Sequence, residues 1–242
     1  MKATELQLFG PTHLWALTLI VIVGSIIAFT VRLARNPAVA RSIALLLAAL
    51  LVVNAAMTYG MRLATDRFDA STWLPMHLCD WAAIAAILAL CFRWQLSYEL
   101  AYFWGLGGTL QALLTPDIVA DFPSIWFLVF FIGHGSVIVS VIFLTLALGM
   151  RPWPRSLLRA FFWSNAYLLC AGLVNYLFDA NYGYLREKPQ RASLLDYLGP
   201  WPIYIGALEI VVVLAFFVLY LPFLIVDSFR KRAKSGMRKR LR

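Results

Sequence analysis

Few side chains in this 242-residue sequence can do chemistry, and most of them stand inside long apolar runs. They are His77, Cys79, Asp80, Gln111, His134, Asn175 and Glu209, with Asn54 and Asn165 as neutral additions. A thiol near an imidazole becomes a nucleophile when the ring takes its proton, and the imidazolium then protonates the leaving group. Cys79 and His134 are of the right types for those two roles. His77 and Asp80 are three residues apart and share a helix face, so the carboxylate can orient or charge the imidazole. At 100° per residue Cys79 projects about 160° from His77 and about 100° from Asp80, so one cavity reaches Cys79 and Asp80 but hardly all three. Gly133, Gly135 and Ser136 flank His134; they leave room for a ligand or form a small-residue packing face.

Weaker readings stand beside these. A lone cysteine in an apolar run is more often an inert, buried hydrophobe, and Asn54, Gln111 and Asn165 are of the kind that glue helices together by hydrogen bonds. His77, Cys79, Asp80, His134 and Glu209 are all legitimate metal ligands, but no H-x-x-x-H or H-E-x-x-H spacing groups them, and no metal is expected. No Gly-rich phosphate loop or G-x-S-x-G elbow occurs in a suitable context, so no nucleotide or redox cofactor is implied.

The elements that hold these residues follow from composition. The chain is 62% hydrophobic and 14% charged, against roughly 45–50% and 25% in soluble domains. That excludes a soluble enzyme, a disordered protein and a disulfide scaffold, and three cysteines without C-x-x-C spacing agree. A run of about 20 apolar residues spans about 30 Å of hydrocarbon as a helix. Seven such runs are expected, at 13–31, 42–60, 76–92, 98–115, 125–149, 157–178 and 203–226, all helical because an open strand in lipid strands its amides. The expected fold is thus all-α, a seven-helix membrane domain over 1–229 followed by a basic tail, 230–242.

Charge orients it. The net charge is +9, but eight Lys/Arg lie in 230–242, and without them 13 basic residues face 12 acidic ones. Such a juxtamembrane cluster reads as an anchor for anionic lipid headgroups, not as a nucleic-acid site. Placing it in the cytoplasm also places Arg32, Arg35, Arg41, Arg93, Arg151, Arg155 and Arg159 there, 15 of the 21 basic residues, with the N-terminus outside. Lys2, Arg62, Arg67, Arg186, Lys188 and Arg191 then lie outside among Asp66, Asp69, Asp117, Asp121, Asp179, Glu187 and Asp196. The arginines follow the first apolar core instead of preceding it, so that run reads as an uncleaved span. The long external segment, 179–201, rich in aromatics and prolines, reads as an ordered cap. In this arrangement His77, Asp80, Gln111, Asn175 and Glu209 all fall in the outer half of the membrane. His134 lies ~15 Å down, near the midplane. A hydrated, outward-facing cavity floored by His134 is expected, because ionisable groups in a span are costly unless they serve one another.

The segments WLPMHLCD (73–80), ELAYFWGLGGTLQALLTPD (99–117), FFIGHG (130–135), NYGYLREKP (181–189) and LDYLGPWPIYI (195–205) resemble the bacterial YwaF-type integral membrane proteins. The resemblance runs from the second span through the seventh and places the chain in a bacterial cytoplasmic membrane. That family is similar, more distantly, to animal transmembrane protein 164, a lipid acyltransferase that acts through a cysteine and a histidine. Pro75, His77 and Leu78 match its Pro-Cys-His-Leu element, His134 matches its fifth-span histidine, and Gly199, Pro200 and Trp201 match its Gly-Pro-Trp. The cysteine does not match: Met76 stands in its place, and Cys79 lies one turn deeper. The resemblance implies a phospholipid or lysophospholipid substrate. Cys79 is then the expected nucleophile, His134 the base, and His77 with Asp80 the support; Gln111, Asn175, Glu209, Asn181 and Trp201 line the site.

The expected function is acyl transfer or acyl-ester hydrolysis on a membrane lipid. A proton-coupled or small-molecule transporter is the rival, since intramembrane His, Asp and Glu suit a proton relay. No duplicated half or visibly broken span favours it. A non-catalytic lipid-binding membrane protein is the third reading.

Overall fold

The computed structural model describes residues 5–65, 67–191 and 193–240, with the backbone alone for 230–240. Lys2, Asp66 and the side chains of the basic tail therefore lie outside the described residues.

The chain folds as helices, with no β-strand among the described residues beyond one bridge between Glu5 and Ala120. Helix α1, Pro11–Ala34, begins on a proline whose missing N–H costs nothing at a helix start. Helix α2, Pro37–Thr65, begins the same way, with the Asn36 carboxamide accepting from the Ala38 N–H at 2.9 Å. A four-residue helix α3, Ala70–Trp73, is capped by Asp69. Hydrogen bonds from Ser71 hold that exposed carboxyl below its usual range. Helix α4 covers Leu78–Phe92 and helix α5 Gln95–Trp104. A π turn, Gly105–Thr109, then leads without a break into α6, Leu110–Leu114. Helix α7, Ile125–Ile142, ends in a second π turn, Phe143–Ala147. Helix α8 is Pro154–Phe178, and the connection beyond it contains the 3₁₀ turns Tyr182–Tyr184 and Leu194–Leu198. Helix α9 is Ile203–Arg240.

Five of these, α1, α2, α7 with its π turn, α8 and α9 through Phe229, are long and apolar enough to cross a membrane. The protein is a multi-pass membrane protein. The remaining two expected runs become α4 and the α5–α6 rod. Helix α4 starts at Leu78 instead of Met76 because His77 is extended, at φ −76° and ψ 150°, and its 15 residues fall short of the ~20 that a straight crossing needs. The rod is interrupted midway by a π turn, which the apolar pattern did not reveal. Helix α9 runs on as one helix into the basic segment.

Helix α4 is the centre of the bundle. Ala82, Ala85, Ala86 and Ala89 are buried on it, and their small side chains let α2, α5 and α7 close on α4. Helices α8 and α9 lie at the periphery, with Leu158, Phe162, Leu169, Ile210 and Leu214 facing outward. Apolar residues on an outer face belong against lipid. At the end of the bundle near residues 93 and 151, ion pairs lock the helices. Glu99 is fully buried and accepts from Gln95 at 3.0 Å and from Arg159 at 3.3 Å. The Arg151 guanidinium forks onto both oxygens of Asp227, at 2.8 and 2.5 Å. A buried carboxylate is tolerable in such a place because it is paired. At the other end, residues 179–202 cover the bundle. That capped end holds the candidate site.

Candidate functional site

Each histidine is held differently, and the difference sorts them by use. His13 is fully buried with both ring nitrogens occupied: Nδ1 accepts from the Phe9 N–H at 2.9 Å, so Nε2 carries the proton and donates to the Leu113 carbonyl at 2.8 Å. It ties α1 to the end of α6. His134 uses one nitrogen only. Nδ1 lies 2.9 Å from the Phe130 carbonyl, one turn back on α7. A carbonyl can only accept, so Nδ1 carries the proton and Nε2 keeps a free lone pair. Nε2 has no hydrogen-bond partner among the described residues. The ring stacks on Phe130 with centroids 4.2 Å apart, which fixes its plane. His77 has neither nitrogen bonded among the described residues; its ring is held edge-on by Tyr182 at 5.2 Å and by Tyr184 at 6.0 Å.

The two free imidazoles belong to one neighbourhood: His134, Arg62 and Asp117 all lie within electrostatic range of His77. His134 faces the interior. Ile125, Leu128, Val129 and Ile132 line a lateral groove of about 170 Å³ between α7 and α2. At 100° per residue their mean direction is opposite to that of His134. The glycines beside His134 serve packing: a Cβ on Gly135 would sit 2.7 Å from Ile20 of α1, and one on Gly133 would collide with the Asn54 amide of α2.

Asp80 does something other than orient an imidazole. Its carboxylate accepts from the His77 backbone N–H at 3.0 Å, the reach-back of a third-position acid onto the residue that caps its helix. The i,i+3 argument assumed that both residues were helical. His77 precedes the helix, so its side chain leaves in another direction, toward the tyrosines. Cys79 stands in the first turn of α4, half-buried and unpaired as a disulfide. Around it are Asp80, Tyr59, Tyr167 and Tyr184. No hydrogen bond links Cys79 with His134 or His77 among the described residues.

The expected lining residues are dispersed. Glu209 accepts from Asn165 at 3.2 Å, joining α9 to α8 and not to α7. Gln111 donates to Thr115 at 3.1 Å. Asn175 is buried, and both ends of its amide clamp the Tyr182 backbone: Oδ1 accepts from the N–H at 2.7 Å and Nδ2 donates to the carbonyl at 2.9 Å. Asn181 organises the cap in the same manner, its Oδ1 accepting from the Arg186 and Glu187 N–H groups. Trp201 donates its indole N–H to the Leu185 carbonyl at 3.1 Å, with the ring exposed. These three residues build the cap that walls the site.

Tyr182 and Tyr184 do not stand out among the chemically able residues of the sequence, yet they wall the His77 ring. The Tyr182 hydroxyl donates to the Ala70 carbonyl and accepts from the Leu74 N–H, both at 2.8 Å. Tyr184 donates to Asp117 at 3.0 Å and its own carbonyl accepts from the Tyr204 hydroxyl at 2.5 Å. Burial and the Asp117 charge both push the Tyr184 phenol upward from its ordinary value, so it remains a donor. The signal was available: both tyrosines sit in NYGYLREKP, and Asp117 closes the segment that begins at Glu99. Among the described residues no three His, Cys, Asp or Glu side chains come together as a metal site.

A family profile, described as the TMEM164 family, matches residues 8–220. The chain belongs to the TMEM164 family. The match covers every helix of the bundle in whole or in part, and the cap, so the TMEM164-family region includes His77, Cys79 and His134 together. No curated protein and no solved structure matches the chain.

Proposed function

We propose that this protein transfers or hydrolyses an acyl ester of a membrane lipid, with His134 as the general base. The observation that carries the reading is the His134 ring: one nitrogen protonated and held by its own helix, the other a free acceptor aimed into the bundle. This is the state a general base needs before it takes a proton. The proposal includes a YwaF-type protein of seven spans in a bacterial cytoplasmic membrane, with the N-terminus outside and the capped end facing out. A cytoplasm-dependent reporter fused after Arg242 is expected to give signal; signal only from an N-terminal fusion would invert the site.

Cys79 is the nucleophile of this reading. His134 Nε2 removes the thiol proton, the sulfur attacks the ester carbonyl carbon, and the carbon–oxygen bond breaks as the imidazolium returns its proton to the leaving alkoxide. A water or a lysophospholipid hydroxyl then attacks the thioester, giving its proton through His134 to the departing sulfur. Support comes from the packing of α4 on α7 and from the resemblance to a lipid acyltransferase family at His77 and His134.

A second reading has its own support, because no bond joins Cys79 to His134 while His77 and His134 share a neighbourhood: a water between the two imidazoles attacks the ester directly. Cys79→Ala separates the two. With thiol catalysis the variant loses turnover by more than about 10³-fold and the wild type is labelled by a chloroacetamide lipid probe. Full turnover in Cys79→Ala assigns the attack to water. Loss of activity on Glu209→Gln, with Cys79→Ala silent and solute uptake as the activity, would instead make the protein a transporter.

A further inference from the structure

Several serine and threonine hydroxyls inside these helices bond back to the carbonyl four residues earlier. Thr18, Thr58, Ser140 and Ser228 do so at 2.7, 2.9, 2.6 and 2.9 Å. Thr109 does not. It is 1% exposed, and its Oγ1 has no hydrogen-bond partner among the described residues. Thr109 ends the π turn, where the Gly105 carbonyl accepts the N–H five residues on, from Leu110, so the backbone around Thr109 departs from the regular α-helical spacing that the back-bonded hydroxyls share. π turns in otherwise regular helices are frequent at functional sites because they release a side chain or backbone group from the helix's own bonding.

The position of that hydroxyl follows from its glycine neighbours. A Cβ on Gly105 would meet Val137 and Val141 of α7 at 3.3 and 3.4 Å, and one on Gly108 would meet Leu78 of α4 at 3.0 Å. The rod and α7 run in opposite directions, so one turn from Gly105 toward the cap corresponds to one turn from Val137 back toward His134. Thr109 therefore stands on the side of the rod that faces α7, near the level of His134. Gly108 beside it touches the residue between His77 and Cys79. An unsatisfied hydroxyl and a free imidazole nitrogen are thus at a similar level of the bundle, where α4, α7 and the rod come together.

We infer that Thr109 is the hydrogen-bond donor to the carbonyl oxygen of the lipid ester, the group on which negative charge develops during attack. This deepens the acyl-ester reading and rests on it. Thr109 is catalytic in the strict sense, because its hydroxyl touches the reacting carbonyl. A buried donor with no partner among the described residues is preorganised for an oxygen that arrives with the substrate. It donates and keeps its proton, so the acyl transfer steps above are unchanged in balance.

The test uses the full-length protein in nanodiscs with Thr109→Val, which keeps shape and loses the hydroxyl, and Thr109→Ser, which keeps the hydroxyl. With palmitoyl-oleoyl phosphatidylglycerol as substrate, Thr109→Val is expected to lower kcat by about 10²–10³-fold with KM little changed. Thermal stability should be equal or higher, and Thr109→Ser should recover turnover to within about tenfold of wild type. A second measurement compares binding of the ester lipid with its dialkyl-ether analogue, which lacks the carbonyl, by displacement of a fluorescent lipid. Wild type should prefer the ester and Thr109→Val should lose the preference. Wild-type turnover that survives Thr109→Val overturns the Thr109 assignment and leaves the acyl-ester reading standing. No turnover by wild type, with an ester preference that Thr109→Val erases, overturns the reaction and leaves Thr109 as a carbonyl donor. No turnover and no preference defeats both.

Discussion

His134→Ala is expected to lower lipid acyl turnover by about 10²–10⁴-fold, the range that a positioned general base contributes, without unfolding the protein. The ring's single hydrogen bond goes to Phe130 within its own helix, so its removal unlinks no two elements. The loss should appear in kcat, since the proposed role is proton transfer and not lipid binding. His13→Ala is the matched control. Its two hydrogen bonds join Phe9 and Leu113, and each such bond contributes about 1 kcal/mol while a stranded partner costs about 1–3 kcal/mol. His13→Ala should therefore lower the melting temperature and spare the per-molecule rate of what remains folded. Turnover within threefold of wild type in His134→Ala would remove the base from the mechanism, and with it the reading that the capped end is an esterase or acyltransferase site.

Asn175→Ala is expected to give the largest loss of order in the cap. Asn175 supplies both hydrogen bonds to the buried Tyr182 backbone. Leaving that N–H and carbonyl unpaired costs about 2–6 kcal/mol at 1–3 kcal/mol each. The damage should spread along a definite route, because Tyr182 also binds Ala70 and Leu74 and walls the His77 ring. Gly183, at φ +66° with Tyr167 Oη 2.5 Å from where a Cβ would be, is a position where no side chain fits. Limited trypsin digestion checks this: cleavage after Arg186 and Arg191 should accelerate in Asn175→Ala, while the spans remain protected. An unchanged digestion rate would show that the other cap bonds, Tyr184–Asp117 and Tyr204–Tyr184 among them, hold it without Asn175.

Much of this protein was legible in the sequence, because a membrane imposes few solutions. Length and apolar runs dictated helices, and five of the expected runs are helices long enough to cross. His134 was recognisable as unusual because an imidazole far inside a span needs a reason. The third run is rich in alanine, and Ala82, Ala85, Ala86 and Ala89 are buried in the packing of α4.

Three things could be decided only in three dimensions. The start of α4 moved past His77, and that two-residue shift turned Asp80 from an imidazole partner into a helix cap; a periodicity argument cannot see where a helix begins. Asn175, Asn181 and Trp201 proved to be builders of the cap, and Glu209 the partner of Asn165. An amide or carboxylate in a span says that it must be bonded, never to which neighbour. The π turn at Gly105–Thr109 left no mark on the hydropathy pattern, yet it is what frees the Thr109 hydroxyl. Hydrophobic patterning fixes which faces are buried, because burial is summed over many side chains. The fate of a single polar atom depends on one or two contacts from other helices, and those exist only once the helices have packed.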